Sequence, residues 1–223
     1  MPTAGGRDGV EFRFGSVADG DLAVESVGVE ARREAICPLP WSWLHQVHGA
    51  DVVIVDSPGG GAGRRGDALV TTVDGACLSV QTADCAPVIF TSDNGVIGAA
   101  HAGWRGLYDG VLEATLAAMA ELGATGVTAS LGPCISADQY EFGAADLTTL
   151  ALRFGPEVVA ATASGRPAFD LRAGVRSVLR SRGVALDEAA VRCTAADPAY
   201  YSWRSRRDTG RQASAVWMRS GGA

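Results

Sequence analysis

Short apolar runs bounded by glycine, proline or aspartate dominate the first half of the chain. They are four to eight residues long and rich in valine, isoleucine and alanine, a pattern typical of β-strands. Several are apolar at successive rather than alternate positions, which indicates strands that are covered on both faces. The pattern predicts strands at Val10–Phe14, Leu22–Val29, Asp51–Val55, Cys77–Val80, Val88–Thr91 and Val96–Ala100.

Three later segments repeat apolar residues with the period of a helix. The first is Leu107–Leu122, which ends before Gly123, and the second is Ala144–Phe154. The third starts after Asp170, a residue type suited to an N-cap. Strands outnumber helices and do not alternate with them regularly, so we predict an α+β fold rather than a doubly wound parallel sheet.

Composition narrows the class of protein. The chain has 223 residues, 47% of them hydrophobic, which is enough for the core of a single domain spanning residues 1–223. Its 19 basic and 25 acidic side chains give a net charge of −6, and this mild acidity argues against a general nucleic-acid-binding protein. Neither a signal peptide nor an apolar stretch of about 20 residues is visible, so we expect no membrane partner.

The counts of cysteine and histidine limit the chemistry further. Five cysteines, an odd number without a CxxC pair, do not form a disulfide framework, and we expect a reducing cytoplasm. Three histidines are too few to bind the copper ions of a multinuclear copper oxidase. They allow one mononuclear metal site or one catalytic histidine.

Reactive side chains are concentrated where apolar runs end, in the segments Leu44–Gly49, Gln81–Pro87 and Ala100–Gly106. Two imidazoles and a thiolate from such distant segments suit an open catalytic zinc site, whose fourth position holds a water that loses a proton near neutral pH. The candidate ligands are His48, Cys85 and His101. The spacing alone is equally compatible with a buried thiol and two ordinary histidines.

Other interpretations use the same atoms. Cys85 and His101 could be a nucleophile and its base, or the three candidate ligands could hold copper with a methionine as axial ligand. Cys134 could close the coordination sphere and make the metal structural. Asp84 could orient an imidazole or a water, or it could simply be a turn residue.

The segment Tyr200–Arg211 is basic and aromatic. Its aromatic rings could stack on a planar base, and one arginine could bind a phosphate. The alternative is an exposed arginine-rich hairpin.

Together these segments resemble one family, first labelled multicopper polyphenol oxidoreductases or laccase-domain proteins and now described as purine nucleoside phosphorylases. The matching motifs occur in the family's order. They are Gln46–Gly49 (QVHG), Gly66–Leu69 (GDAL), Thr82–Cys85 with Pro87 (TADCxP), His101–Leu107 (HAGWRGL), Leu131–Ile135 (LGPCI), Tyr140–Gly143 (YEFG), Arg192–Thr194 (RCT) and Thr209–Arg211 (TGR).

The resemblance implies a fold, a cofactor and an activity. It implies a central β-sandwich of mixed sheets flanked by helices, similar to a cysteine-hydrolase-like fold, and zinc bound by His48, Cys85 and His101. The implied reactions are phosphorolysis of adenosine, inosine, guanosine and methylthioadenosine, and deamination of adenosine. Some members are linked instead to editing of peptidoglycan precursors, and phenol oxidation is the older label.

The implied partners are therefore purine nucleosides and phosphate, with zinc replaceable by copper in vitro. We expect Cys85 and Asp84 to be catalytic, with Asp84 moving protons. We expect Arg204, Arg105 and Gln46 to bind the substrates, the arginines at the phosphate.

Overall fold

The computed structural model describes residues 3–5 and 9–218, and most of their strands belong to two mixed β-sheets. The strands are β1 (Thr3–Gly5), β2 (Val10–Phe14), β3 (Trp41–Ser42), β4 (Leu44–His45), β5 (Val52–Val55), β6 (Arg64–Arg65), β7 (Ala68–Thr71), β8 (Cys77–Thr82), β9 (Ala86–Thr91), β10 (Ile97–Ala102), β11 (Thr128–Leu131), β12 (Val159–Ala161), β13 (Pro167–Phe169), β14 (Ala185–Asp187) and β15 (Gln212–Met218). The helices are α1 (Val29–Ile36), α2 (Trp104–Asp109), α3 (Val111–Glu121), α4 (Ala144–Phe154), α5 (Leu171–Ser181) and α6 (Trp203–Arg206).

One sheet has five strands in the order β1-β2-β15-β8-β3, and the other has six in the order β14-β11-β9-β10-β7-β5. Neighbouring strands in both sheets are mostly antiparallel, with parallel pairs at the edges: β8 with β3, β11 with β14, and β7 with β5. Strands β12 and β13, and strands β4 and β6, form two small separate ladders. The pairing is long-range, since the last strand lies in the middle of the five-stranded sheet.

Alternate residues of the two large sheets pack against each other and form the inner core of a sandwich. The five-stranded sheet contributes Phe12, Phe14, Leu78, Val80 and Val216, and the six-stranded sheet contributes Val53, Val55, Leu69, Ile89 and Ile97. The opposite face of the six-stranded sheet is covered by α3, with α4 and α5 in the same apolar cluster, and that of the five-stranded sheet packs against α1. The predicted sandwich of mixed sheets with helices outside is confirmed.

Most of the predicted elements are present, and one strand is wrong. Residues Leu22–Val29 form turns and the start of α1 rather than a strand. Several of their hydrogen bonds are local: the Asp21 carboxylate accepts from the amide of Ala23, and the Arg32 guanidinium donates to the carbonyls of Asp21 and Val27. The amide of Leu22 also donates to the carbonyl of Arg211, but this bond is not part of a ladder. The apolar residues of this segment therefore cover the sheet without joining it.

The predicted helix Leu107–Leu122 is two helices. Gly110, with a φ of 96°, ends α2 and starts α3. A left-handed residue interrupts the helical hydrogen bonds, so the helix is divided at this point. The other two helices are confirmed, and the carboxylate of Asp170 accepts a hydrogen bond from the amide of Ala173 at 2.9 Å as the N-cap of α5. In the described part of the chain, no helix is long and apolar enough to cross a membrane.

Candidate active site

Three loops and strand ends bring the predicted ligands together. His48 follows β4, Cys85 lies between β8 and β9, and His101 is near the end of β10. Their ligand atoms lie within 4.8 Å of one another, and the two imidazole rings meet edge to face with centroids 4.8 Å apart. His101 is buried, Cys85 is half-buried and His48 is exposed, so the group opens to solvent on the His48 side.

Asp67, which directly precedes β7, organises this group. Its fully buried carboxylate accepts hydrogen bonds from the amides of His48 at 2.9 Å and Gly49 at 2.7 Å, and it contacts Nδ1 of His101 at 2.8 Å. The amide of Val47 also points at both oxygens. Because Nδ1 of His101 is bound to a carboxylate, its Nε2 is left for a ligand.

Glycines allow the close approach of these segments. A Cβ added to Gly103 would lie 2.8 Å from Cδ2 of His48 and 3.1 Å from Sγ of Cys85. A Cβ added to Gly106 would lie 2.6 Å from the carbonyl oxygen of Gly49. The glycines of the HAGWRG motif are therefore needed for packing around the candidate ligands, and His48 itself has a left-handed φ of 61°.

The thiol and the imidazole change each other's ionisation. Burial alone would raise the pKa of the Cys85 thiol, but the charge of His101 and hydrogen bonds from both histidines lower it to about 6. Burial likewise opposes charge on His101, but the Cys85 thiolate and Asp67 raise its pKa to about 9. A thiolate is the form of cysteine that binds metals and attacks electrophiles.

The donor set fits a zinc ion. Zinc prefers imidazole nitrogen and thiolate sulfur, and three protein ligands leave one position open for water or substrate. The carboxylate on Nδ1 of His101 is a usual partner of a metal-binding histidine. Within residues 3–5 and 9–218, His48, Cys85 and His101 form the group of His, Cys, Asp and Glu side chains close enough to hold a metal.

The alternatives with further ligands are not supported by the positions of Cys134 and the methionines. Cys134 is buried outside the metal-binding group, and burial raises the pKa of its thiol to about 11. Met119 packs between a helix and the six-stranded sheet, and Met218 packs between the sheets. Met1 lies outside the described residues.

A cavity of about 650 Å³ opens beside the metal-binding group, which is within the usual size for a small-molecule site. All the residues that we predicted as functional line it: His48, Cys85, His101, Asp84, Arg204, Arg105 and Gln46. Trp104, Tyr140, Trp203 and Arg211 complete much of the remaining wall. The Gly-rich segment 57–66 is not part of the wall.

Asp84 lies at the cavity, but it does not orient an imidazole, since Asp67 does so. The Asp84 backbone is left-handed, with a φ of 97°. One of its buried carboxylate oxygens accepts from the hydroxyl of Thr194 and the other from the amide of Arg204, both at 2.7 Å. Asp84 therefore ties the loop that carries Cys85 to the start of α6.

The side chain of Gln46 pairs with the backbone of β8. Its Nε2 donates to the carbonyl of Gln81, and its Oε1 accepts from the amide of Gln81, both at 2.7 Å. This pairing fixes the segment that leads to His48. Gln46 still borders the cavity, so its predicted contact with substrate remains a prediction.

The arginines of the cavity wall differ in their partners. The Arg204 guanidinium lies 4.8 Å from the ring centroid of Tyr140 and donates to the carbonyl of Glu141. The Arg105 guanidinium lies 4.8 Å from the centroid of the adjacent Trp104 ring. Arg211 instead donates to three backbone carbonyls of residues 208–210, so it stabilises its own loop.

Sequence reasoning missed Asp67 and Tyr140, although both lie in motifs of the resemblance. Asp67 is a single carboxylate at the start of the buried run Ala68–Thr71. A charge in that position needs several hydrogen-bond partners, and this requirement was the available signal. Tyr140 carried no comparable signal, because its position on the cavity wall results from the tertiary fold.

Several known proteins are similar to this chain in sequence. Residues 15–219 match the family described as multi-copper polyphenol oxidoreductase laccase. The chain is 40% identical to a Streptomyces coelicolor protein named purine nucleoside phosphorylase, over 90% of this chain and 81% of that protein. It is also 40% identical to a Mycobacterium tuberculosis protein named purine nucleoside phosphorylase, over 96% of this chain and 89% of that protein.

Solved structures have the same fold. A Neisseria meningitidis protein is similar with a TM-score of 0.81 and 28% sequence identity, covering 98% of this chain and 99% of that one. YlmD from Geobacillus stearothermophilus is similar with a TM-score of 0.81 and 25% identity, covering 95% of this chain and 93% of that one.

Proposed function

Because the chain belongs to the multi-copper polyphenol oxidoreductase laccase family, we propose that it is a zinc-dependent purine nucleoside phosphorylase with adenosine deaminase activity. The substrates are adenosine, inosine, guanosine and methylthioadenosine, together with phosphate. The relatives named purine nucleoside phosphorylase support the enzyme class. We place the enzyme in a reducing cytoplasm, which suits its five free cysteines.

One observation carries the proposal: the metal-binding group and an arginine–aromatic wall share a single cavity. Phosphorolysis needs an anion site beside a site for a planar base. Arg204 and Arg105 supply the donors for phosphate, and Trp104 and Trp203 offer aromatic faces to a purine.

The residues of the site have distinct tasks in this proposal. Bound zinc would supply a Lewis acid and lower the pKa of a coordinated water. His48, Cys85 and His101 would hold it, with Asp67 fixing the orientation of His101. The arginines bind and orient phosphate, and copper can replace zinc in vitro because it binds nitrogen and sulfur ligands more tightly.

Metal analysis and product chromatography test the proposal on the same sample. Purified protein is expected to contain about one zinc per chain and to release base and ribose 1-phosphate from inosine plus phosphate, and inosine from adenosine. Cys85→Ala removes a ligand and is expected to abolish both zinc binding and turnover. Cys134→Ala is the matched control, because this buried thiol lies outside the metal-binding group.

Three results would contradict the proposal. They are full activity in metal-free protein, zinc retained by Cys85→Ala, or zinc lost in Cys134→Ala. The last result would indicate a structural metal closed by Cys134 instead of an open catalytic one.

A peptidoglycan-precursor hydrolase is the second candidate function. It is favoured by the proximity of Cys85 and His101, whose reactive atoms lie within 4.8 Å of each other, and by the lowered pKa of the thiol, as in a nucleophile and its base. Incubation with a muropeptide precursor, beside adenosine with phosphate, separates the two functions by their products. Release of a peptide or amino acid without any free purine would favour the hydrolase.

A further inference from the structure

Tyr140 presents an unpaired hydroxyl to the cavity. Tyr140 is buried, with 8% of the residue exposed, and it lines the cavity wall. In the part of the chain that the structure describes, its hydroxyl makes no hydrogen bond to protein, and it is not among the buried polar atoms sealed from solvent. The hydroxyl is therefore available to water or to a ligand in the cavity.

The ring of Tyr140 is fixed from several directions. The rings of Phe142 and Phe169 pack against it, with centroids 4.8 and 6.3 Å away. The Arg204 guanidinium lies over the ring at 4.8 Å. A ring held in this way presents its hydroxyl in one direction and also positions the guanidinium of Arg204.

Two arginines, Arg204 and Arg105, supply positive charge beside Tyr140, whose own hydroxyl stays protonated. Burial, together with the negative charges of Cys85 and Asp84, raises the pKa of Tyr140 far above its ordinary value, against the opposing effect of Arg204 and Arg105. The hydroxyl therefore remains a neutral donor at any physiological pH. Neither Arg204 nor Arg105 makes an ion pair within the described residues, and the Asp84 oxygens accept from Thr194 and the Arg204 amide instead.

We propose that Tyr140 is a phosphate-binding residue, whose hydroxyl donates a hydrogen bond to a phosphate oxygen alongside the guanidinium groups of Arg204 and Arg105. Two guanidiniums offer only donors, and a phenol that stays protonated adds a third. Such a set of donors matches a phosphate group, whose oxygens accept hydrogen bonds from all three side chains. This inference rests on the proposed phosphorylase function.

Tyr140→Phe tests the inference, with Tyr200→Phe as the matched control. Tyr200 is also 8% exposed, but it does not line the cavity. In phosphorolysis of inosine by the zinc-loaded enzyme, Tyr140→Phe is expected to raise the KM for phosphate about tenfold. The KM for inosine and the zinc content are expected to change less than twofold, and Tyr200→Phe is expected to leave all three values near those of the wild type.

The inference is overturned if the KM for phosphate in Tyr140→Phe stays within twofold of the wild type, or if the KM for inosine rises instead. If the wild type does not phosphorolyse inosine, the proposed function fails separately. Calorimetric titration with inorganic phosphate then decides the inference. Binding to the wild type that is weakened about tenfold by Tyr140→Phe supports it, whereas equal binding or none overturns it.

Discussion

At the scale of the residue, the metal-binding group depends on one carboxylate that is not itself a candidate ligand. Asp67 accepts from the amides on either side of the His48 backbone and from Nδ1 of His101. Asp67→Asn retains the shape but replaces one acceptor oxygen with a donor amide, which faces other donors. We expect a 10- to 100-fold loss of zinc affinity, of the order found for partners of metal-binding histidines, measured by competition with a chromophoric chelator.

The same substitution has a pH signature in the metal-free protein. Burial would raise the pKa of Asp67, but the hydrogen bonds from His101, Gly49 and His48 lower it below its ordinary value. The stability that the carboxylate contributes is therefore complete above an unfolded-state pKa of about 3.9 and is lost as the pH falls through the lower folded-state pKa.

Thermal unfolding of wild type and Asp67→Asn should thus differ most near neutral pH, and the difference in Tm should narrow below about pH 4. The asparagine side chain of the variant does not titrate, so the variant is the reference for the effect of the ionised carboxylate. A difference in Tm that is the same at pH 7 and at pH 3.5 would show that the ionised carboxylate is not responsible.

Some residues of the site could be predicted from the sequence, and others could not. His48, Cys85 and His101 are reactive types in motifs at the ends of apolar runs, so they could be selected from the sequence. Asp67 and Tyr140 act through hydrogen bonds and packing across the fold. Their roles depend on which strands become neighbours, and local spacing contains no information about that.

At the scale of the element, Gly110 separates the helix that contains the end of the HAGWRG segment from the helix that follows it. A continuous helix satisfies the apolar period of Leu107–Leu122, but Gly110 separates α2 from α3 with a φ of 96°. Gly110→Ala is expected to cost about 1–2 kcal/mol of unfolding free energy, because alanine is strained in the left-handed region. Gly110→Asn should cost less, since asparagine tolerates this conformation.

Urea unfolding of both variants measures these costs. Steric crowding is not the cause of the expected destabilisation, because a Cβ at Gly110 would lie 3.7 Å from its nearest neighbour, an ordinary contact distance. If alanine and asparagine destabilise equally, or if neither does, backbone conformation is not what requires glycine at this position.

Strands and helices were predicted from local patterns more reliably than their arrangement. Fully buried strands such as β9 and β10 are largely apolar runs, and α4 and α5 repeat apolar residues with the period of a helix. Leu22–Val29 has the same composition as a strand, yet it makes local hydrogen bonds with Asp21 and Arg32 and a backbone bond to Arg211 instead of a ladder. Strand order could not be predicted, because pairing such as β15 with β2 and β8 is long-range.

At the scale of the whole molecule, β15 connects the two halves of the five-stranded sheet. It pairs with β2 on one side and β8 on the other, and Val216 is fully buried between the two sheets. Val216→Ala is expected to lower the unfolding free energy by about 2 kcal/mol through lost burial and a new cavity. Val159→Ala, at a position 51% exposed, makes the same chemical change and should cost less than about 0.5 kcal/mol.

Denaturant unfolding with tryptophan fluorescence as the readout compares the two variants. Equal costs for Val216→Ala and Val159→Ala would mean that the contact of β15 with the opposite sheet contributes little to stability.

The position of β15 also sets an order of events during biosynthesis. The ribosome makes this strand after all the other strands described, yet β8, which leads into Asp84 and Cys85, needs it as a neighbour. The wall residues Arg204, Thr209 and Arg211 are also made late. A nascent chain therefore lacks the finished pocket until β15 has emerged and paired with β8, and we expect zinc to be captured only after that pairing.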